Sequence, residues 1–562
     1  MTIAPFIVFF VGAALSLLVR GRLRVFAMLL VPVLGGINLV GLGTGPLLEA
    51  SLFGESLVIV RVDKLSLLFG YLFHLATFIA LIFSAHVRDT TQQVNGLLYA
   101  GSAVGAVFAG DLLTLFVFWE LMTLSSVFLI LARGTQRAVS ASMRYLLFQI
   151  LSGVLLLAGT LIVFRTSGSL RFDYIGLEGP GSWLIFLAFG IKCGFPAVHS
   201  WLVDAYPEAT PTGTVFLSAF TTKVAVYALA RGFPGTDVLI YIGAVMTCFP
   251  IFYAVIENDL RRVLAYSMIN QLGFMVVGVG IGTALAINGA VAHAFNDVIF
   301  KGLLMMSMGA VLYRTGRMNG SELGGLYKSM PKTTVLCIVG AASISAFPLF
   351  SGFVSKSMVM SAVLSEDYPL VWLALLFASA GVFHHAGIKI PFFAFFAHDS
   401  GLRPQEAPGN MLLAMTLAAI ICVAIGSYPA LLYQHLPFPV NYSAYDYSHV
   451  VAQLQLLFFS ALAFIWLRRR GLYPPELKSV NLDVDWFFRK PVSQSVQAVL
   501  GRAGAMAAMT QAKVVSTLRS VLVVIQSWLG PGSVVALPWS SARMVFVVAL
   551  LLTATLLFMY SR

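Results

Sequence analysis

Long apolar runs constrain this chain more than any other feature. About sixteen follow one another, over 3–19, 24–43, 64–86, 95–110, 111–132, 143–165, 181–199, 212–232, 237–256, 262–282, 287–312, 332–362, 369–397, 409–433, 449–467 and 541–561. Most are about 17–25 residues, the length that carries a helix across a bilayer. Only 10% of the 562 residues are charged and 59% are hydrophobic, against about 25% charged in a soluble domain. The sequence therefore predicts an all-α polytopic membrane protein in contact with the lipid bilayer. The run 332–362 is interrupted, and 95–110 meets 111–132 with almost no loop. The first run has no basic residue ahead of it and no small-residue cleavage site after it, so it reads as a first span rather than a signal peptide.

Several function classes are excluded early. The four cysteines, Cys193, Cys248, Cys337 and Cys422, lie in apolar segments without CxxC spacing. They suggest no disulfide frame, zinc site or iron–sulfur cluster. No nucleotide-binding glycine pattern opens a helix after a strand, so neither a cofactor nor a metal is expected. An ion gradient or a partner subunit must drive the protein. The net charge of +12 follows topology, not nucleic acid. Basic residues collect in alternate loops, VRGRLR (19–24), RGTQRAVSASMR (133–144), DLRR (259–262), the stretch 313–332 and RRRG (468–471). The positive-inside rule puts these in the cytoplasm and the N-terminus outside.

Against this apolar background, ionisable residues within the spans stand out. Each costs roughly 2.5–3.5 kcal/mol on insertion scales and is a functional candidate by default. Glu120 sits mid-span in LFVFWELMTLSS, Lys192 in FGIKCGFPAVHSW and Lys223 in LSAFTTKVAVYAL. His293, Asp297 and Lys301 fall at i, i+4 and i+8 in VAHAFNDVIFKGLL, on one helix face. Lys356 follows SAFPLFSGFVS, and Lys389 lies in HHAGIKIPFFAFF. Taken singly, each has a bland explanation. A lysine can snorkel, above all Lys356 near its SED loop; His293 can be a satisfied core histidine; Glu120 can make a helix–helix hydrogen bond. The set, central and ordered, argues for function. Asp297, Gln271, His199 and Asp204 are secondary candidates.

The order is that of an internal repeat. Lys192 precedes a Phe-Pro and is followed about thirty residues later by Lys223. Lys356 follows a second Phe-Pro and precedes Lys389 by a similar interval. Interrupted helices at membrane depth are tolerated where freed backbone lines a cavity or is covered by protein, and they mark ion sites. The lysine lies on opposite sides of the two breaks, so two unrelated kinks remain an alternative.

The motifs FWELMTLSS, KCGFPAVHSWLVDAYPEATPTGT, ENDLRRVLAYSMINQLGF, HAFNDVIFKGLL and FPLFSGFVSK, in this order, resemble the antiporter-like subunits of respiratory complex I and of Mrp-type multi-subunit cation/proton antiporters. HHAGIKIPFFAFFAHDSG and the chain length look most like the D-type subunit of Mrp antiporters. The resemblance covers roughly residues 60–400. It implies a core of about 14 helices with two inverted five-helix repeats, each with a broken helix. It implies a proton relay through Glu120, Lys192, Lys223, His293, Lys301 and Lys356, with Lys389 beyond. Gln271 stands where many relatives have histidine, so a relay there must use water. Asp297 stands where some have a second histidine and is expected to pair with Lys301.

On this reading, 1–94 are N-terminal spans, 95–232 the first repeat, 237–397 the second and 398–468 the C-terminal spans. Residues 469–562 hold a polar linker, a long segment at 491–529 that is either a lateral amphipathic helix or a further span, and a last span. The expected function is proton translocation in a complex exchanging Na⁺ or another monovalent cation for H⁺. Its partners would be other membrane subunits, and its location the bacterial cytoplasmic (inner) membrane. The alternatives are a redox-driven complex (complex I or a membrane hydrogenase) and energy coupling for inorganic-carbon uptake.

Overall fold

The apolar runs become helices whose ends are set by polar caps. Among the described residues of the computed structural model (3–52, 54–478, 481–533 and 539–561), 13 helices are long and apolar enough to cross a membrane. The chain divides into two compact units, Met1–Asn481 and Leu482–Arg562.

The first unit opens with α1 (Ile7–Leu18) and α2 (Gly21–Val40). An antiparallel hairpin follows, β1 (Gly45–Leu52) and β2 (Glu55–Val62). Gly54, at φ +86°, takes its turn. Among the described residues the hairpin is the one sheet added to the expected all-helical plan. Its second strand, ESLVIVRV, is rich in β-branched residues, which favour strands, and buries Val60 and Val62. Then come α3 (Lys64–Phe83), α4 (Thr90–Phe108), α5 (Leu112–Leu131) and α6 (Gln136–Ser167). Asp63, Asp111 and Thr135 cap α3, α5 and α6 by accepting from free N-terminal amides.

Next lies the first interrupted span, α7 (Pro180–Cys193) and α8 (Ser200–Ala205), with α9 (Gly213–Ala219) and α10 (Thr221–Gly232) after it. Helices α11 (Asp237–Ile256) and α12 (Leu260–Ile281) pack backbone to backbone. A Cβ on Gly243 would come within 2.6 Å of the Val277 amide, and one on Gly273 within 2.6 Å of the Gly243 carbonyl; small residues permit such approach in membranes. The long α13 (Ala284–Thr315) leads to the second interrupted span, α14 (Pro331–Ile344) and α15 (Ser351–Ser365). Helix α16 (Pro369–Val382) continues through π-helical turns around the short α17 (Lys389–Pro391) to Phe396. Helices α18 (Gly409–Ser427), α19 (Ala430–Tyr433) and α20 (Tyr447–Arg469) complete this unit.

The two Phe-Pro breaks share a geometry. Proline removes an amide donor and clashes with the preceding turn, so each helix stops short. The residue immediately after the proline is left-handed in both, Ala197 at φ 70° and Leu349 at φ 73°. Side chains cover the freed carbonyls. Trp201 Nε1 donates to Ile191 at the first break (2.8 Å), and Lys356 Nζ to Ile344 at the second (3.2 Å).

The second unit holds α21 (Asp485–Phe487), α22 (Ser493–Leu529) and α23 (Ser541–Tyr560). Helix α22 has 37 residues. At about 1.5 Å per residue it is far longer than the ~30 Å hydrocarbon core, so a single upright crossing does not accommodate it.

Candidate functional site

Two clusters of charged side chains occupy the spans of the first unit, with Glu120 half-buried and the charges of the second cluster buried. In the first, α5 supplies Glu120 and α7 supplies Lys192. Lys192 is fully buried. Its Nζ donates to the Trp119 carbonyl (2.6 Å) and to Thr123 Oγ1 (3.2 Å), and lies 4.5 Å from the centre of the Trp119 ring. All three contacts are on α5, flanking Glu120. The Glu120 carboxylate takes none of them, and its Oε1 is buried without a hydrogen bond. That oxygen presses on Gly153 of α6, where a Cβ would collide with it. One turn earlier on α6, Gln149 is buried with neither amide atom hydrogen-bonded. The first cluster thus leaves one carboxylate oxygen on α5 and one carboxamide on α6 without a hydrogen bond. Sequence reading missed Gln149, since a lone glutamine carries no charge signal.

The second cluster draws on four helices. Lys223 on α10 forms an ion pair with Asp297 on α13, with Nζ 2.7 Å from Oδ2 and both side chains fully buried. Lys223 Nζ also donates to the Ser218 carbonyl (3.2 Å). This corrects the expectation that Asp297 pairs with Lys301. Lys301 instead donates to Ser267 Oγ on α12 (2.8 Å). His293 bridges α12 and α15: its Nε2 lies 3.1 Å from Gln271 Oε1 and its Nδ1 3.0 Å from Ser355 Oγ. Gln271 therefore contacts the histidine directly. Lys356 does not snorkel. It is 1% exposed, with Nζ on the Ile344 carbonyl and 5.0 Å from the Phe274 ring centre. It also lines a cavity of about 750 Å³ whose wall includes Ser357, Ser361, His449 and Gln453. There Ser361 Oγ lies 3.1 Å from His449 Nε2, and His449 Nδ1 3.1 Å from Asp446 Oδ2.

Lys389 stands apart. Its Nζ donates to the carbonyls of Val255 and Glu257, both at 2.6 Å, at the C-terminal end of α11. It also pairs with Glu476 at 3.0 Å. Three acceptors match the three donors of an ammonium, which makes Lys389 a helix-end cap that anchors the polar linker. Asn481 Nδ2 donates to Glu257 Oε2 nearby (3.2 Å). His199 packs against Phe249 with ring centres 4.7 Å apart and the rings tilted by 56°. Asp204 accepts from Arg144 at 2.6 and 3.1 Å. Arg261, expected in a cytoplasmic loop, is buried within α12, where it donates to the carbonyls of Pro207 and Ala209. Among the described residues no group of three or more His, Cys, Asp or Glu could hold a metal ion.

Charged side chains set within the spans thus lie close to both interrupted helices. The transmembrane family model described as NADH:quinone oxidoreductase/Mrp antiporter matches residues 109–384. That match lies within the central membrane-spanning part of this chain, just under half of its length. Hydrogenase-4 component B of Escherichia coli (strain K12) is 28% identical over 370 residues, covering 58% of this chain and 55% of that protein. The D-type subunit of the Na(+)/H(+) antiporter of Alkalihalophilus pseudofirmus is 29% identical over 345 residues, covering 57% of this chain and 69% of that protein. The chain thus spans little more than half the length of the hydrogenase component. A solved chain of the membrane-bound sulfane sulfur reductase, an archaeal respiratory membrane complex, superposes with a TM-score of 0.71 at 22% identity. It covers 98% of this chain and 99% of its own, so the fold extends through the C-terminal unit.

Proposed function

We propose that this chain is the proton-translocating membrane subunit of a multi-subunit monovalent cation/proton antiporter, with Na⁺ the first cation to test, in the cytoplasmic membrane of a bacterium. The carrying observation is the fully buried Lys223–Asp297 ion pair, set between Lys192 on one side and His293, Lys301 and Lys356 on the other. Removing two charges from water is expensive even when they are paired, and paired charges stabilise no better than a well-packed apolar core. A chain that holds so many has a use for them. Desolvation favours the neutral form of a lysine and a nearby carboxylate favours the charged form, so each site changes its proton affinity as its partner moves.

The first cluster supports a switch. Lys192 rests on Trp119 and Thr123, while Glu120 stands unpartnered on the same helix. Closing Glu120 onto Lys192 holds the proton there; opening releases it toward Lys223. The cavity beside Lys356 supplies the other end of the path, and the other membrane subunits of the complex are its partners.

The likeness to Hydrogenase-4 component B favours a second reading, a proton-pumping subunit of a redox-driven complex. The two separate in everted vesicles from an antiporter-deficient host expressing the whole operon. The antiporter reading expects Na⁺, K⁺ or Li⁺ to collapse ΔpH without an electron donor, and Glu120→Gln to abolish the response. Proton movement that appears only with an electron donor assigns the redox class instead.

A further inference from the structure

His293 is held by a chain of hydrogen bonds whose direction is fixed at one end. Thr247 on α11 offers a backbone carbonyl, which can only accept. Asn270 Nδ2 donates to it at 2.5 Å. The Asn270 Oδ1 therefore faces the other way and accepts from Gln271 Nε2 at 2.6 Å. That commits the Gln271 carboxamide in turn, leaving Oε1 as the atom 3.1 Å from His293 Nε2. An amide oxygen accepts and has no proton to give. Nε2 must carry the hydrogen, and the lone pair of the neutral ring must sit on Nδ1.

Nδ1 faces Ser355 Oγ at 3.0 Å. That hydroxyl has two settings. Toward a neutral ring it donates to Nδ1. Toward a protonated ring it accepts from Nδ1–H and swings its own hydrogen to the Ser351 carbonyl, 3.4 Å away. Asn296 Nδ2 donates to the same carbonyl at 2.8 Å and keeps it in place. Ser355 lies on α15, just past the second break and one residue before Lys356. The charged groups acting on His293 are Lys356, Asp297, Lys223 and Lys301, from α15, α13 and α10.

We propose that Gln271, oriented by Asn270 and the Thr247 carbonyl, fixes His293 as its Nε2–H tautomer, so that the ring gains and loses its proton only at Nδ1, through Ser355. Gln271 and Asn270 are positioning residues. The ring is not a through-wire between α12 and α15: a proton reaching it leaves by the same nitrogen, along the face of the broken span. This inference rests on the proton-carrying reading of the row, but the tautomer itself can be observed without transport.

The test is ¹⁵N solid-state NMR of the intact complex in lipid, with histidine labelled at both ring nitrogens and His293 assigned by difference against His293→Asn. The expected spectrum of the neutral ring shows a protonated Nε2 and an unprotonated Nδ1. In Gln271→Met, which keeps the side-chain length and removes the acceptor, the tautomers mix and transport falls by about tenfold or more. A neutral wild-type ring protonated at Nδ1, or a tautomer unchanged in Gln271→Met, overturns the proposal. The expected tautomer in a complex that moves no protons would overturn the function proposed above and leave this assignment standing.

Discussion

In the first cluster the carboxylate and the ammonium share α5 as neighbour without joining: Lys192 is satisfied by a carbonyl and a hydroxyl, and Glu120 keeps a buried oxygen unpartnered. In the second, Asp297 and Lys223 come from helices far apart in sequence and stand 2.7 Å from one another. One site holds its charges apart, the other locked. On the proposed function the first site acts as a gate and the second as a clamp, and the protein should respond differently when each is altered.

Breaking the clamp should have the largest effect. Asp297→Asn leaves a buried ammonium without its counter-charge, at a cost of about 3–5 kcal/mol. Thermal unfolding of the purified complex should fall steeply and transport should vanish. Combining it with Lys223→Met should restore much of the stability and none of the transport. A single Asp297→Asn that unfolds like wild type would remove the distinction between clamp and gate.

Altering the gate should separate function from stability. Glu120→Gln loses no hydrogen bond at Oε1, so its unfolding cost should stay below about 1 kcal/mol, while ΔpH collapse in everted vesicles disappears. Lys192→Ala should also abolish transport. A smaller intrusion is Gly153→Ala, whose methyl group displaces the Glu120 carboxylate at an overpacking cost of about 1–3 kcal/mol. Transport should drop several-fold, and Gly153→Ser should behave likewise. Wild-type rates in Gly153→Ala would show that the position of the carboxylate does not matter.

Lys389→Met should perturb transport least. Its ammonium caps α11 and ties down Glu476 rather than joining the row. The expected result is near-normal ΔpH collapse with faster proteolysis or hydrogen exchange across 470–478. A transport loss equal to that of Glu120→Gln would return Lys389 to the relay.

Much of this plan was legible in the sequence because its signals are local. Apolar length sets the spans, Phe-Pro sets the breaks, and a charge inside an apolar run marks itself. The partner of Asp297 was not legible. Helix spacing puts Asp297 beside Lys301 on one face, whereas the pairing with Lys223 depends on how α10 meets α13. Neutral polar residues were equally silent: Asn270, Ser355 and Gln149 become informative only once their neighbours are known. The burial of Arg261 was not legible either, because positive-inside counting registers a basic residue at a span end and not whether its guanidinium is sunk among backbone carbonyls. The hairpin does have a local signal, since SLVIVRV is rich in β-branched residues, but its apolar run is easily absorbed between two spans.

The backbone after each Phe-Pro has a mechanical consequence. Ala197 and Leu349 hold a left-handed conformation that costs a residue with a Cβ roughly 1–2 kcal/mol. Neither position uses the glycine that would adopt it freely. Each elbow is therefore a sprung latch, kept cocked by the side chains that grip the carbonyls on its near side. Loosen that grip and the elbow relaxes out of its left-handed setting; put glycine at 197 or 349 and the latch goes slack without coming apart.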